Sequence, residues 1–446
     1  MMTISIPQNV NDIMSRLEAE GYQAFVYGAC IRDSLLGINP ISWDISTDAL
    51  APDIVLLFDD RDGFTAIPAS HDDYSVSLIY QGESYRLSTF RTGQEHRFTD
   101  DIREELKHHD FTMNSIAYNP VQGLIDIFGG VHDIENRIIR CGGDPAVKLR
   151  EDSMRVLRAV RFEAQLGFVI DDSLLQLLSS LEDTFDFNHS EKVCNEITQM
   201  LLCGQPSISI RRLLELDLMK HLVPELIPTV GFDTRSSFHD KDVFEHTMTV
   251  LDYSKPNLTL RLAALFHDID KPNCLTIDAS GEGHCYGHAN SGSHVARAVL
   301  TRLNFDLKTI NGACALIKEH MNCYDNVSEL SIKRLIRRVG PDNIDNLFEL
   351  QLADSKGSGF SGRDVARISS IRNKCWEVLS RREPLTTHDL DINGYDLMTL
   401  YDSGKEMGEA LEFLLDKVVD NPSLNNRERL IELLKTRSQR DHEIKQ

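Results

Sequence analysis

The sequence is short of the features of a membrane-bound, secreted or disulfide-stabilised protein. It has nine cysteines among 446 residues, an odd number, and none form a C-x-x-C pair. This argues against both a disulfide scaffold and a zinc ribbon. No apolar run reaches the roughly 18 residues of a membrane-spanning helix, and no basic segment followed by an apolar one opens the chain, so no signal peptide is predicted. We therefore expect a cytoplasmic protein without a membrane partner.

Basic residues are also scarce. Lys and Arg total 47 against 69 Asp and Glu, which gives a formal net charge of −22. Such a surface repels nucleic acid as a whole, so RNA contacts would need a local basic patch. A helical period places four cations on adjacent rows of one predicted helix, and an ion-paired, solvated face explains them equally well. These cations are Lys333, Arg334, Arg337 and Arg338, and further candidates are Arg155, Arg158, Arg161, Arg211 and Arg212.

The remaining composition is that of a globular protein with several structural units. Hydrophobic residues make up 41% of the chain and charged residues 26%. Short β-rich runs alternate with Gly and Asp turns up to about residue 140, and helical periodicity dominates afterwards, including one helix predicted across residues 149–168. We predict an α+β fold, in which an α/β head with a small mixed sheet precedes all-α segments. The predicted divisions are residues 1–142, 143–228, 229–383 and 384–446.

A turn of small residues follows the first β-rich run. Gly28 and Ala29 would let the backbone approach a triphosphate closely, and Arg32 and Asp33 would open the next helix. Asp44 follows in a second β-rich run. Taken alone, this turn is a weak signal, because an ordinary strand–turn–helix has the same composition.

Three further stretches make the signal specific. They are residues 86–91 (RLSTFR), 106–118 (LKHHDFTMNSIAY) and 151–162 (EDSMRVLRAVRF). Their order and spacing resemble the class II tRNA nucleotidyltransferase family, which comprises the CCA-adding enzymes and their bacterial poly(A) polymerase relatives. The resemblance implies a nucleotidyltransferase-like head, a helical neck that binds nucleotide and RNA, and two kinds of partner: ATP or CTP, and the 3′ end of tRNA or another RNA.

The head departs from the family at the positions that handle metal and phosphate. Residues Ala29, Ser42, Arg86, His108 and His109 stand where the family has a glycine, two carboxylates and two arginines. Nucleotidyl transfer uses two divalent ions, and Mg²⁺ prefers carboxylate oxygens. Asp44 is left as the catalytic, Mg²⁺-binding carboxylate of an active head. We therefore expect nucleotide addition to be weak or lost.

The positions that bind the nucleotide in the family are better preserved. Glu151, Asp152, Arg155 and Arg158 are predicted to share one helix face, where carboxylates and guanidinium groups can read base edges. Ion pairs along a helix surface would give the same pattern. The full set that the resemblance implies is Gly28, Ala29, Arg32, Asp33, Asp110, Asn114, Glu151, Asp152, Arg155 and Arg158.

A second constellation lies in residues 229–383. A helical His246, the pair His267-Asp268 after an apolar run, and a later Asp354 occur in the order of the HD phosphohydrolase superfamily, which they resemble. The resemblance implies that these four residues bind one divalent metal. Imidazole and carboxylate together suit Ni, Mn, Co, Fe or Zn, or Mg with weaker use of histidine. A cluster of structural histidines is the alternative explanation.

The same resemblance implies catalytic roles around the metal. Asp268 and Lys271 would act on the phosphate, Lys271 by neutralising its charge. His288 and His320 would either hold a second metal or protonate the leaving group. Asp270 occupies a position where the superfamily usually has glycine. Residues 384–446 are predicted to be a helical tail, and the sequence predicts no oligomeric state.

Three hypotheses remain open on the sequence alone. The favoured one is a tRNA nucleotidyltransferase-family protein whose surviving activity is the metal-dependent phosphohydrolase. The second is an active CCA- or A-adding enzyme that uses substitute ligands such as Asp33. The third is an RNA-binding protein without catalytic activity.

Overall fold

The computed structural model describes residues 3–58, 63–68, 74–93, 97–180, 190–235, 242–322, 327–359, 362–398, 401 and 403–444. The chain divides into two compact units. The head unit contains residues 1–189 and 212–217, and the body unit contains residues 190–211 and 218–446. The predicted division into four segments stays a prediction.

The head unit is built on a seven-stranded mixed sheet. Its order is β3-β4-β5-β2-β1-β8-β9 in the following numbering. The strands are β1 (Ala24–Tyr27), β2 (Asp44–Thr47), β3 (Phe64–Pro68), β4 (Ser75–Tyr80), β5 (Glu83–Thr89), β6 (Arg91–Thr92), β7 (Arg97–Phe98), β8 (Ile116–Asn119), β9 (Gly123–Asp126), β10 (Ile138–Ile139) and β11 (Val169–Ile170). Strands β2 and β5 pair in parallel, whereas the other neighbours in this sheet pair antiparallel.

The described residues of the head unit also form eight α-helices. They are α1 (Gln8–Ala19), α2 (Ala29–Leu35), α3 (Ala51–Leu57), α4 (Ile102–Leu106), α5 (Gly130–Asn136), α6 (Pro145–Glu151), α7 (Met154–Leu166) and α8 (Asp172–Ser180). Helix α1 illustrates how such a helix packs into the core. Its buried residues have the spacing of a single apolar stripe: Val10, Ile13, Met14 and Leu17. Strand β1 is buried throughout, so the centre of the head core lies at this strand.

The prediction of one helix across residues 149–168 is wrong. Helix α6 ends at Glu151, and Asp152 is extended, with φ −151° and ψ 102°. The Asp152 carboxylate accepts a hydrogen bond of 3.0 Å from the backbone N–H of Met154. A short acidic side chain that binds nearby backbone competes with helix continuation and favours a new helix start. Glu151 and Asp152 therefore do not share a continuous helix with Arg155 and Arg158.

The body unit is almost entirely helical. Its helices, including one that crosses the division between the units, are α9 (Ser190–Leu202), α10 (Pro206–Glu215), α11 (Met219–Leu222), α12 (Val243–Tyr253), α13 (Leu258–Phe266), α14 (Lys271–Cys274), α15 (His288–Arg302), α16 (Leu307–Glu319), α17 (Glu329–Val339), α18 (Ile344–Gly357), α19 (Gly362–Ser380), α20 (Gly394–Leu397), α21 (Gly404–Asp420) and α22 (Arg427–Ile444). A hairpin of β12 (Leu275–Ile277) and β13 (Gly283–Cys285) precedes α15. The predicted fold class, an α/β head followed by a helical body, is confirmed.

Helix α13 occupies the centre of the body unit. Every residue from Leu260 to Phe266 is buried, which is typical of a helix enclosed by other helices. It packs against α12, α16 and α18. These four helices supply most of the polar cluster described below.

The predicted basic patch lies on α17, and acids pair with all four of its cations. Arg334 contacts Asp420 at 3.1 Å, and Arg338 contacts Glu319 at 2.7 Å. Lys333 pairs with Glu329 and Glu383, and Arg337 pairs with Glu412 and Asp416. The ion-paired alternative is therefore the correct one for this patch. Arg211 and Arg212 are likewise paired, with Glu245 and Glu163.

The sequence predicted neither a membrane-spanning helix nor a disulfide scaffold. None of the helices in the described ranges is both long enough and apolar enough to cross a bilayer. The eight cysteines that fall within those ranges are free thiols, and the ninth, Cys323, lies outside the described residues.

Candidate metal centre and nucleotide-binding site

Six ligand-type side chains of the body unit converge, mostly from helix ends. His246 lies on α12 and Asp354 on α18. His267 and Asp268 follow the last residue of α13, His288 is the first residue of α15, and His320 follows α16. Because the chain turns directly after Phe266, two consecutive residues can point into one site.

The six side chains form two adjacent triads. One triad contains His246, His267 and Asp354, and the other contains Asp268, His288 and His320; within each, the ligand atoms lie within 4.8 Å of one another. His246 Nε2 lies 3.1 Å from Asp354 Oδ1 and 3.3 Å from His267 Nε2. His288 Nε2 lies 3.4 Å from Asp268 Oδ1.

Asp268 links the two triads. Its Oδ2 lies 3.2 Å from His267 Nε2 and 3.6 Å from His246 Nε2, whereas its Oδ1 faces His288 and His320. The structure therefore brings the four predicted ligands together. It adds a second group that shares Asp268, an arrangement suited to two metal ions with a common carboxylate.

Backbone carbonyl groups set the orientation of three imidazoles. The Nδ1 atoms of His267, His288 and His320 lie 2.8, 2.7 and 2.6 Å from the carbonyl oxygens of Ala264, Cys285 and Ile317. A carbonyl can only accept, so each Nδ1 must donate its proton. In the neutral ring the opposite nitrogen, Nε2, then carries a lone pair, which is the form that ligates metals.

Several atoms at the centre of the cluster lack conventional hydrogen bonds. Asp268 Oδ1, His288 Nε2 and His320 Nε2 are buried without a hydrogen-bond partner. A buried acceptor left unsatisfied costs about 1–3 kcal/mol. One cation between the lone pairs would satisfy several of them at once, so these residues fit a divalent metal.

The pKa shifts follow from burial and crowding. Burial and the neighbouring His267 lower the pKa of His320 to about 4, so His320 is neutral near pH 7. Burial opposes ionisation of Asp268, but His267 and Lys271 outweigh it and hold the pKa of Asp268 well below its usual value. Burial likewise opposes ionisation of Asp354, and its hydrogen bond with His246 outweighs burial and lowers the Asp354 pKa. Both carboxylates are therefore charged.

Lys271 borders this cluster. Its Nζ lies 2.7 Å from Asp268 Oδ2. Burial would lower the pKa of Lys271, but Asp268 outweighs burial and raises it. The ammonium group is therefore a fixed positive charge beside the two triads.

The cluster opens into a pocket of about 400 Å³. Asp268, Lys271, His288 and Asp354 form part of its wall. Residues that the sequence patterns did not indicate complete the wall: Thr234, Gly283, His284, Cys285, Tyr286, Met321 and Ser358. They come from connecting segments and from a short hairpin that carry no ligand pattern of their own.

One glycine that the patterns also missed supports the first triad. A Cβ at Gly357 would lie 2.8 Å from Val250 Cγ2 and 3.1 Å from His246 Cε1. These separations are shorter than ordinary contacts. Helix α18 can therefore approach α12 closely only because position 357 has no side chain. Gly357 lies one turn after Asp354, which is the signal that could have indicated it.

In the head unit, Asp44 faces an arginine. The parallel register of β2 and β5 pairs Asp44 with Arg86. Burial raises the pKa of Asp44, and Arg86 partly offsets this. Ser42 is exposed and lies outside β2. A positive side chain thus occupies the neighbouring position where a second metal-binding carboxylate would be needed.

The predicted nucleotide-binding residues form two connected groups. Arg32 donates to Asp33 at 2.7 Å and to Asn114 at 2.9 Å, and Asn114 donates to Asp110 at 3.1 Å. Arg158 then joins Asp110, at 3.4 Å, to Asp152, at 2.8 Å.

The second group contains only two residues. The turn at Gly28 and Ala29 lies beside the first group. Arg155 pairs with Glu151 at 2.9 Å. Gly28 has a φ of 78° and precedes α2, which begins at Ala29, and the Gly28 N–H donates to the Ile116 carbonyl. The ten predicted residues thus include seven charged side chains and one amide that already bind one another.

Family models match three segments of the chain. Residues 24–140 match "Poly A polymerase head domain", residues 167–229 match "Probable RNA and SrmB- binding site of polymerase A", and residues 370–434 match tRNA nucleotidyltransferase domain 2.

Curated relatives and solved structures agree with these matches. The CCA-adding enzyme of Staphylococcus epidermidis is 30% identical over 210 residues, which cover 45% of this chain and 51% of the relative. That of a Geobacillus species is 36% identical over 180 residues, which cover 38% and 43%. The chain thus spans about half the length of the curated relatives it matches.

Similarity of fold extends further along the chain. The CCA-adding enzyme of Bacillus stearothermophilus in complex with CTP superposes with a TM-score of 0.62 at 22% identity, covering 97% of this chain and 98% of that one. The Thermotoga maritima CCA-adding enzyme complexed with tRNA superposes with a TM-score of 0.52 at 21% identity, covering 96% and 94%.

The fold is that of the CCA-adding enzymes. The three family matches and the curated relatives support the predicted relationship to the tRNA nucleotidyltransferase and poly(A) polymerase family.

We predict that Asp268→Ala removes most of the bound divalent metal, because Asp268 contacts members of both triads. Metal content would be measured by plasma mass spectrometry after purification without chelator. Asp270→Asn is the matched control, since Asp270 is also buried but bonds to Asn273. Equal metal content in the two variants would contradict the assignment.

We predict that Asp152→Asn weakens CTP or ATP binding by about 1–3 kcal/mol, because an amide lacks the charge of a base-reading carboxylate. The Asn oxygen still accepts from Met154, and the partly exposed Arg158 pair contributes at most about 1 kcal/mol to stability. Calorimetry and a melting curve on one sample test this, with the exposed Asp172→Ala as control. Unchanged affinity with a lowered Tm would indicate a purely structural ion pair.

Proposed function

We propose that this chain is a tRNA nucleotidyltransferase-family protein whose working activity is metal-dependent hydrolysis of a phosphoester in the body unit. The observation that supports this most directly is the convergence of six ligand-type side chains beside a pocket. Several of their buried polar atoms have no hydrogen-bond partner. In this proposal residues 229–383 form an HD phosphohydrolase domain. The metal is Ni, Mn, Co, Fe, Zn or Mg.

The ligand geometry supports the following roles within the proposed site. His246, His267 and Asp354 would hold one ion, and His288 and His320 with Asp268 would hold a second. A bound metal would lower the pKa of a water molecule and offset charge on a phosphate oxygen. Of the two roles left open for His320, metal binding is favoured, because its Nδ1 donates to the Ile317 carbonyl and its buried Nε2 faces Asp268 Oδ1.

Lys271 would act on the phosphate itself. Its ammonium group is held at the pocket wall by Asp268 and is kept charged. A fixed cation there attracts a phosphoester and stabilises negative charge that develops on the phosphate oxygens. It does so without a step that changes its own protonation.

The proposed substrate is the 3′ end of RNA, in particular of tRNA, or a 2′,3′-cyclic or terminal phosphate on it. Two observations support this choice. Relatives of the chain are CCA-adding enzymes, and one solved structure of similar fold is the Thermotoga maritima CCA-adding enzyme complexed with tRNA. The cations of α17 are already paired with acids, whereas residues 167–229 match an RNA-binding family model, so this segment is the preferred contact region.

Nucleotide addition by the head is proposed to be weak or lost. Asp44 faces Arg86, and Ser42 offers no charge. Asp33 is a poor substitute ligand, because its Oδ1 already accepts two hydrogen bonds from Arg32. An active CCA- or A-adding enzyme remains the second candidate, favoured by the connected residues around Arg32 and Asn114.

We predict that Lys271→Ala lowers kcat for a nucleoside 2′,3′-cyclic phosphate by about 10²–10³-fold, the usual effect of removing one group that stabilises transition-state charge. Bound metal should be retained. Turnover is measured across a series of divalent metals, with the exposed Lys318→Ala as control. A loss of metal equal to the loss of turnover would show that Lys271 only supports the ligands.

We predict that Ser42→Asp with Arg86→Glu raises CMP or AMP incorporation into tRNA that lacks CCA, because the pair restores two carboxylates beside Asp44. Incorporation of each labelled nucleotide is measured with Mg²⁺. Arg86→Ala alone is the control, since it removes the positive charge without adding a ligand. Robust incorporation by the unaltered protein would refute the proposed loss of head activity.

A further inference from the structure

The β12–β13 hairpin is anchored beside the proposed metal centre. A Cβ at Gly283 would lie only 1.8 Å from the carbonyl oxygen of Thr234, and the Gly283 N–H donates to the carbonyl of Arg235 at 3.0 Å. The hairpin backbone therefore packs directly against the backbone of Thr234 and Arg235. This close approach holds the hairpin at the pocket wall.

Two aromatic rings stack on this hairpin. The rings of His284 and Tyr286 are 5.3 Å apart with an interplanar angle of 19°. His284 lies in β13, and Tyr286 lies in the turn that follows this strand. His284 Nε2 lies 3.0 Å from Asp278 Oδ2, a contact that holds the imidazole in place. Tyr286 is 75% exposed, and its ring therefore adds little to the core.

The stacked pair lies next to the reacting groups. Tyr286 precedes His288, a member of the second triad, by two residues, and Gly287 between them has a φ of 82°. Both rings line the same pocket as Asp268 and Lys271. A large exposed aromatic surface at the opening of a charged phosphate pocket is the arrangement that binds a nucleobase beside its phosphate.

We propose that Tyr286, supported from behind by His284, is a base-stacking platform that makes nucleotides and RNA ends the preferred substrates of the body-unit site. This inference rests on the proposed phosphohydrolase function and narrows its substrate class. Met321, which is 59% exposed and lines the same pocket, offers an apolar contact for the base. Stacking accepts any base, so the platform selects for the presence of a base rather than for its identity.

The test compares two substrates with the same reacting group. One is adenosine 2′,3′-cyclic phosphate, and the other is methyl riboside 2,3-cyclic phosphate, which lacks the base. Tyr286→Ala should lower kcat/KM for the first by about 5-fold to 150-fold, the range that corresponds to loss of one base stack. The second should change little. Tyr286→Phe keeps the ring and should behave like the unaltered protein.

A matched control is available in the same unit. Tyr395 is 81% exposed and lies on α20, outside the residues that line the pocket. Tyr395→Ala should leave both substrates unaffected. Equal loss on the two substrates in Tyr286→Ala, or no loss on either, would overturn the platform.

Binding provides a readout independent of turnover. Calorimetry with adenosine 3′-monophosphate and with ribose 3-phosphate, on protein saturated with Mg²⁺, should show a base-dependent gain in affinity that Tyr286→Ala removes. If the unaltered protein hydrolyses neither cyclic phosphate, the proposed function fails, and this binding difference still decides the platform. Equal affinities for the two ligands would reject the platform even in an active hydrolase.

Discussion

The candidate metal centre of the body unit depends on how the histidine lone pairs and the charge of Asp268 are brought together at the ends of its central helices. Three histidines donate Nδ1 protons to carbonyl oxygens three residues earlier in the chain, which directs their Nε2 atoms towards one another and towards Asp268. Without a cation, this leaves buried acceptors facing acceptors. A divalent metal would turn that cost into a set of bonds. Metal affinity and local stability are therefore expected to be linked.

Helix ends suit this task for a structural reason. The last residues of α13 and α16 have backbone carbonyl groups without helical partners, and His267 and His320 use such groups to orient their rings. Helix α13 is buried on nearly all sides, so its end is held firmly. Apolar packing thus fixes the positions of the ligands. The pocket wall, in contrast, is formed by a connecting segment and the β12–β13 hairpin.

In the head unit, by contrast, most charged residues of the candidate site pair with one another. There, the register of β2 and β5 places Arg86 beside Asp44, and the charged residues around Arg32 and Arg158 satisfy one another. A site whose charges are already paired has less need of a metal than one whose acceptors are unsatisfied. This contrast between the two units is one reason for proposing hydrolysis rather than nucleotide addition.

Apolar periodicity and turn residues were enough to predict the α/β head and the helical remainder, because both leave local patterns. The choice of His246, His267, Asp268 and Asp354 came from their resemblance to the HD superfamily, and the structure brings these side chains together. The sequence predicted a continuous helix through Asp152 wrongly, since periodicity does not register a side chain that caps the backbone. It left the cations of α17 undecided, because their partners, such as Asp420, are distant in sequence. Only the tertiary structure decided three features, because each depends on packing between segments remote in sequence. They are the position of Asp268 between the two triads, the close helix approach allowed by Gly357 and the place of Tyr286 beside the pocket.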